Sequence, residues 1–299
     1  MPATTTTTST IAKIAGQVGP AVIGLRSGSR GGSGVIVAPG IAVTLARTIR
    51  RAELVVRAGD LDVTSRVIGT DPTVDLAVLA LEASDGSDLP DPVAWATGED
   101  ITIGSEVYAL ADPAGRGLCV TPGTVSRKPS GLRGPAGRLI EGVIEHTAPL
   151  PHGSGGGPLV DAAGRILGLN AIRRDEGLIV AWPASALRER AATLASGQAT
   201  APPRLGVALL SARQARRLRA AVGLEPIDGL LVRDVESGSP ADRAGIVRGD
   251  VIVAVDESPV SGPDPLYTAL DQATGRDLSL KVVRGRDELM LTARLGDQP

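Results

Sequence analysis

Between Ala21 and Ala83 the chain breaks into six short apolar runs, "AVIGLRSG", "GSGVIVAPG", "IAVTLART", "AELVVRAG", "DVTSRVIGTD" and "DLAVLALEA", most of them closed by a turn that carries Gly or Asp. Runs this short and this rich in β-branched residues predict strands. The Ser/Asp/Pro-rich stretch "SDGSDLPDP" then marks a linker. A second series begins near Val107 with "VYALADPAG", "LCVTPGTVSR", "LIEGVIEHT", "GPLVDAAGRILGLNAIR" and "GLIVAWP". Evenly spaced strands predict a sandwich or a barrel, and two series of similar length predict two barrels. The 38 Gly and 22 Pro suit the many tight turns this requires. With two Trp, two Tyr and no Phe, the interior must be built from Val, Leu, Ile and Ala.

Pro183 opens a helical pattern, "PASALRERAATLASG", with Leu187 and Leu194 on one face and Gly197 as its stop. "QATAPP", residues 198–203, reads as an interdomain linker. From Arg204 to Leu295 the strands "RLGVALL", "GLLVRDV", "DVIVAVD" and "DLSLKVVRG" alternate with helix starts, one at "SPADRAG" and one near Asp264, which predicts a compact α+β unit. The expected organisation is an N-terminal tail and short helix at 1–19, a double β-barrel at 20–197, the linker at 198–203 and an α+β domain at 204–296. The fold class is mainly β.

A net charge of −2 gives no basic field for nucleic acid or an anionic membrane. The scarce aromatics leave no stacking platform for single strands. The single cysteine, Cys119, excludes an internal disulfide and reads as a small buried hydrophobe. "MPATTTTTSTIAKIAG" lacks a basic segment followed by an apolar one, and no apolar run approaches the length of a membrane span. The chain is therefore expected to be cytoplasmic, with a frayed Thr-rich tail and with no metal and no cofactor.

The most informative segment chemically is "HGSGGGPLVDAAGRILGLNA", His152 to Ala171. A glycine-rich loop leading through Pro-Leu into an apolar strand is how trypsin-fold proteases present a catalytic serine. "GSGVIVAPGIAVTLARTI", "VIGTDPTVDLAVLAL" and "ALADPAGRGLCVTPGTVS" precede it in order. Together these motifs, at this spacing, resemble the HtrA/Deg family, a trypsin-like serine protease domain followed by a PDZ domain. The resemblance covers residues from about 10 to 295. It places the catalytic aspartate at Asp75, the histidine at Arg47 and the serine at Gly155.

Two of the three positions thus hold residues that cannot do the chemistry. In such a triad a neutral imidazole takes the serine proton while the aspartate fixes its tautomer. Arginine stays protonated and cannot act as a base, and glycine supplies no oxygen. The resemblance therefore implies a pseudoprotease, with Arg47 and Asp75 forming an ion pair where histidine and aspartate would have met. The backbone of Gly153, Ser154 and Gly155 can still form an oxyanion-like nest. Ser154 offers an alternative nucleophile only if the loop slips by one residue; otherwise it is a polar turn residue. His146 and His152 lie beside the loop, on the wrong barrel for the family's base.

The resemblance also places a carboxylate-binding loop at Arg204, Leu205, Gly206 and Val207. The helix at Pro265–Ala273 would form the second wall, with Leu266 and Leu270 facing the ligand. Free protein C-termini or unfolded segments are the implied partners, bound by strand addition. The family's trimers use N-terminal aromatic contacts. No aromatic residue precedes Trp95 here, so assembly by that route is not expected. Three functions stay open: a peptide-binding scaffold, regulator or chaperone; an endopeptidase using Ser154; and a regulatory subunit of an active paralogue.

Overall fold

The computed structural model describes residues 3–26, 31–49, 51–83, 86–97, 101–135, 137–174, 177–197, 204–273 and 276–295. The chain forms two compact units, Met1–Thr200 and Ala201–Pro299. The expected linker at 198–203 lies outside the described residues.

The first unit opens with α1 (Ala3–Val18). The threonine run expected as a frayed tail is thus helical. Ile14 and Val18 fall on one face and are fully buried, with Ile11 packed beside them, and Gln17 Nε2 donates to Ala163 O at 3.1 Å. Tertiary burial of that stripe outweighs the weak helix propensity of threonine.

Six strands follow: β1 (Val22–Leu25), β2 (Gly32–Ala38), β3 (Ile41–Leu45), β4 (Glu53–Ala58), β5 (Leu61–Asp71) and β6 (Leu76–Ala83). They close into a barrel in the order β1-β2-β3-β6-β5-β4, with β4 pairing back on β1. The next strands are β7 (Glu106–Ala111), β8 (Cys119–Arg127), β9 (Gly131–Arg133), β10 (Leu139–Glu141), β11 (Ile144–His146), β12 (Pro158–Val160), β13 (Ile166–Arg173) and β14 (Ile179–Pro183). The order β11-β14-β13-β12-β7-β8 makes a second closed barrel, while β9 and β10 form a separate hairpin. The run "LIEGVIEHT" is therefore two strands, split at Gly142. Helix α2 (Ala184–Ala195) closes the unit, burying Leu187, Ala191 and Leu194.

Two apolar clusters fill this unit. One contains Val107, Ala109, Leu159, Leu167 and Ala181 of the second barrel. The other combines first-barrel residues such as Val35, Val43 and Leu79 with Tyr108, Leu110, Leu169, Val180 and Trp182 from the second. Strand alternation produces this division, since neighbouring residues of one strand face opposite sides. The second barrel therefore presses one side chain set into its interior and the other against its partner.

The second unit is a sheet in the order β15 (Val207–Leu210), β16 (Leu230–Val235), β17 (Val251–Val255), β19 (Asp277–Arg284), β20 (Asp287–Arg294), with β18 (Ser258–Pro259) paired to β17. Helices α3 (Ala212–Ala221), α4 (Pro240–Arg243) and α5 (Pro263–Gln272) accompany it. Helix α3 begins with a reciprocal cap between Ser211 and Gln214.

Candidate functional site

The loop from β11 to β12 is fixed by backbone bonds to both barrels. Gly156 N donates to Asn170 O at 2.8 Å and Asn170 N returns to Gly157 O at 2.9 Å, tying the loop to β13. Ser33 N of β2 donates to Gly155 O at 2.8 Å, tying it to the first barrel. Gly156 has φ 91°, and a Cβ there would lie 2.2 Å from Ser33 O and 2.4 Å from Thr44 Oγ1. Only glycine fits that crossing.

Gly155 is different. A Cβ built on it would meet only Leu45 Cδ1, at 3.4 Å, an ordinary contact distance. There is space for a side chain and none is present. Among the described residues, neither the Gly153 N–H nor the Gly155 N–H has an acceptor. Ser154 is buried, and its hydroxyl donates to Pro151 O at 2.8 Å, within its own turn.

Asp75 lies in the turn between β5 and β6 with φ 56° and is buried. Its carbonyl accepts Ala46 N–H at 2.9 Å, and its Oδ1 accepts Arg47 N–H at 3.0 Å. These bonds fix the short turn Ala46–Thr48 that carries Arg47. Arg47 Nε stands 3.2 Å from Asp75 Oδ2. Arg47 Nη2 instead reaches across to β13 and donates to Ala171 O at 2.6 Å. The guanidinium is therefore not a two-pronged partner of the carboxylate; it divides its donors between Asp75 and the second barrel. Burial pushes the Asp75 carboxyl up, and the Arg47 charge and N–H pull it partly back. The Trp182 indole also favours the ionised carboxylate, yet its N–H lacks hydrogen-bond geometry to any acceptor.

A cavity of about 190 Å³ opens beside Gly155. Leu150, Ile172 and Ile179 give it apolar lining, and Arg173 and His152 give it polar lining. Beneath it His146 is fully buried, with its Nε2 2.9 Å from Asn170 Oδ1. The Asn170 amide donates to Gly157 O and Pro158 O, so its Oδ1 must accept and His146 Nε2 must carry the proton. Burial pushes the His146 pKa down to about 4. His146 is thus a neutral strut behind the loop, bonded to Asn170. His152 is exposed on the rim. Cys119 is half-buried in β8, and burial pushes its thiol up, away from reactivity. Among the described residues no group of three or more His, Cys, Asp or Glu could hold a metal ion.

In the second unit, Gly206 has φ 79°, and a Cβ there would strike Ser239 Cβ at 2.2 Å. Its carbonyl accepts Glu236 N–H and that of Leu205 accepts Ala241 N–H, both at 2.9 Å. Arg204 pairs with Glu236 at 3.1 Å. Val207 begins β15, which pairs with β16 on one side and ends the sheet on the other. The expected wall residues need correction: Leu266 and Leu270 are buried in the unit's core with Leu205 and Ile246. The face of α5 that carries them supports the sheet rather than an open groove.

The sequence pattern did not single out Arg173, Asn170 or Trp182. A charged residue closing the largely apolar β13 was the available signal for Arg173.

Residues 32–169 match the trypsin-like peptidase domain family and residues 231–284 the PDZ domain family. The chain is 35% identical over 281 residues to HhoA of Synechocystis, assigned by name to the serine proteases, covering 88% of this chain and 70% of that protein. It is 31% identical over 277 residues to a DegP-like serine endoprotease of Hahella chejuensis, covering 90% of this chain and 57% of that one. The chain spans about half the length of the DegP-like relatives it matches. The solved structure of the HtrA-type protease AlgW with a decapeptide is also similar, with a TM-score of 0.66 and 25% identity over 97% of this chain and 99% of that one. The DegP-like relatives from Rickettsia conorii, Halomonas elongata and Hahella chejuensis are named as periplasmic, which overturns the expectation of a cytoplasmic chain. Among the described residues no helix is long and apolar enough to cross a membrane.

Proposed function

The chain belongs to the HtrA/Deg family, a trypsin-like serine protease domain followed by a PDZ domain, and on that premise we propose that it holds polypeptide segments through both domains without cleaving them. The observation that carries the reading is the state of one site. Gly155 stands where the resemblance puts the nucleophile, with room for a hydroxyl and none present. Arg47 stands where it puts the base and spends its donors on Asp75 and Ala171. A permanently protonated guanidinium cannot take a proton from an attacking group. The Ser154 hydroxyl is turned into its own loop, which weighs against its use as a substitute nucleophile.

The parts that would bind rather than react remain in place. The unengaged Gly153 and Gly155 N–H groups can donate to a carbonyl or carboxylate oxygen. In the PDZ domain, the loop Arg204-Leu205-Gly206-Val207 opens onto the free edge of β15, which suits a peptide C-terminus added as a strand. The names of the periplasmic relatives support a place outside the cytoplasm.

Reconstruction of the triad tests the reading. Gly155→Ser should be inactive, because Arg47 cannot accept the serine proton. Arg47→His should be inactive, because nothing awaits activation. The double change joins serine, imidazole and Asp75, and the gain should be strongly non-additive, up to about 10⁶-fold. Casein or peptide cleavage by the wild type, both singles and the double is the measurement. Robust cleavage by purified wild type, lost in Ser154→Ala, would replace this reading with the active one.

A further inference from the structure

Beyond Asn170, whose backbone is bonded to Gly156 and Gly157 of the loop, β13 pairs with β14 alone, and on its other side Ala171 O accepts from Arg47. Its pairing with β12 ends at Pro158↔Leu169, while its pairing with β14 runs on to Arg173↔Ile179. The segment Ala171–Arg173 therefore presents an open strand edge beside Gly155, and the 190 Å³ cavity lies along that edge. An open edge is where an extended peptide adds as a strand, and a pocket alongside decides which side chain it accepts.

The charges around this pocket are one-sided. Arg173 lines it, and its Nη2 donates to Leu150 O on the opposite wall. Among the described residues Arg173 has no carboxylate partner. Arg47 reaches the same edge through Ala171 O. Neither Asp nor Glu lines the pocket. The nearby Asp75 is buried and already held by Arg47. His152, Ser154 and Asn170 also line it; the Ser154 hydroxyl is held by Pro151 O and the Asn170 side chain by His146, Gly157 and Pro158, while Gly153 and Gly155 offer N–H donors. A small cavity with apolar walls and a guanidinium that no carboxylate neutralises favours an anion over a neutral group of the same shape, because the reduced dielectric strengthens the attraction.

We infer that the pocket beside Gly155 receives a carboxylate of an extended peptide, with Arg173 as its counter-charge. The peptide lies along Ala171–Arg173. Its acidic side chain enters between Leu150 and Ile179 and meets the Arg173 guanidinium. The inference rests on the reading of this cleft as a peptide groove and adds the class of residue it selects. A C-terminal carboxylate offers the same chemistry as an acidic side chain, so the experiment separates the two sources.

Full-length protein is titrated against fluorescent peptides acetylated and amidated at their ends, identical except for Glu, Gln or Leu at the central position. End-blocking removes the terminal carboxylate a PDZ loop would grip. The Glu peptide should bind at least about tenfold more tightly than the Gln peptide, and the difference should shrink with added salt. Arg173→Leu should abolish the preference and Arg173→Lys should keep part of it, both with unchanged thermal unfolding. In a second arm the Leu peptide carries a free C-terminus. A gain over its amide that disappears in Arg173→Leu identifies the terminal carboxylate as the group taken, whereas a gain insensitive to Arg173 belongs to the PDZ loop. Equal binding of the Glu and Gln peptides, or a preference that survives Arg173→Leu, overturns the inference. Tightest binding of the Leu peptide leaves the groove reading standing and refutes only its selectivity. No binding of any end-blocked peptide removes groove and selectivity together.

Discussion

At Asp75 the two carboxylate oxygens have separate tasks. Oδ1 holds the Arg47 N–H, which shapes the turn, and Oδ2 faces the guanidinium. Burial raises this carboxyl above its ordinary value despite the neighbouring charge. Its contribution to stability is therefore fullest below the unfolded pKa near 3.8 and is lost as pH rises through the folded one. Replacing the charge should cost less than replacing the acceptor. Asp75→Asn keeps an oxygen for the Arg47 N–H, whereas Asp75→Ala strands that donor and should destabilise the domain by about 1–3 kcal/mol. The larger penalty of a stranded buried cation is not expected, because the Arg47 side chain is 36% exposed and water can take it over. Urea unfolding of both variants is the check, and equal losses would show that the acceptor does not matter. The positions of Arg47, Asp75 and Gly155 were legible in the sequence through the order and spacing of the motifs. The Arg47–Ala171 bond was not, since it joins residues 124 apart in the chain.

The strands β11 and β13 form a second layer beneath the loop. His146 donates to Asn170, and Asn170 donates to the carbonyls of Gly157 and Pro158. His146 Nδ1 is buried without a partner, so protonating the ring would place a charge where nothing answers it. Its folded pKa, about 4, lies below the ordinary value of 6.5. The stability this confers is fully present above pH 6.5 and is lost as pH falls toward 4, amounting to about 3 kcal/mol at most. Asp75 titrates with the opposite sign, so the comparison must be made against a variant. His146→Gln retains a donor for Asn170 and cannot be protonated. Its unfolding midpoint should fall less than that of wild type between pH 6.5 and 4, and parallel curves would refute the assignment. Element existence was readable here from the apolar runs, but side-chain direction was not. The bulge between Asn170 and Ile172 breaks strict alternation, so a period of two could not tell which side of β13 Arg173 would take. A short helix was expected within 1–19, but its extension through the threonine run was hidden for a related reason: its stability comes from contacts made by Ile14 and Val18, and the run itself displays only weak formers.

Across the whole chain there are two domains with separate cores, and the proposed reading gives each of them a binding role. The PDZ domain should bind peptides with free C-termini at roughly micromolar affinity, near −8 kcal/mol. Amidation should remove most of that affinity, because the N–H groups of the Arg204–Val207 loop lose an anionic acceptor. Isothermal titration of acid and amide forms is the measurement, and equal affinities would rule the loop out. Barrel number and domain order were visible in the run of short strands and turn signals. The burial of Leu266 and Leu270 was not, because helical spacing marks an apolar face without saying whether core or ligand covers it. Four of the bonds that hold the cleft in shape run between main-chain atoms: Ser33 to Gly155, Gly156 to Asn170, Asn170 to Gly157, Ala46 to Asp75. None of them depends on what side chain occupies position 47 or position 155. Both positions can therefore be exchanged without unfolding the barrels, so the backbone frame of the cleft is inherited separately from the chemistry carried on it.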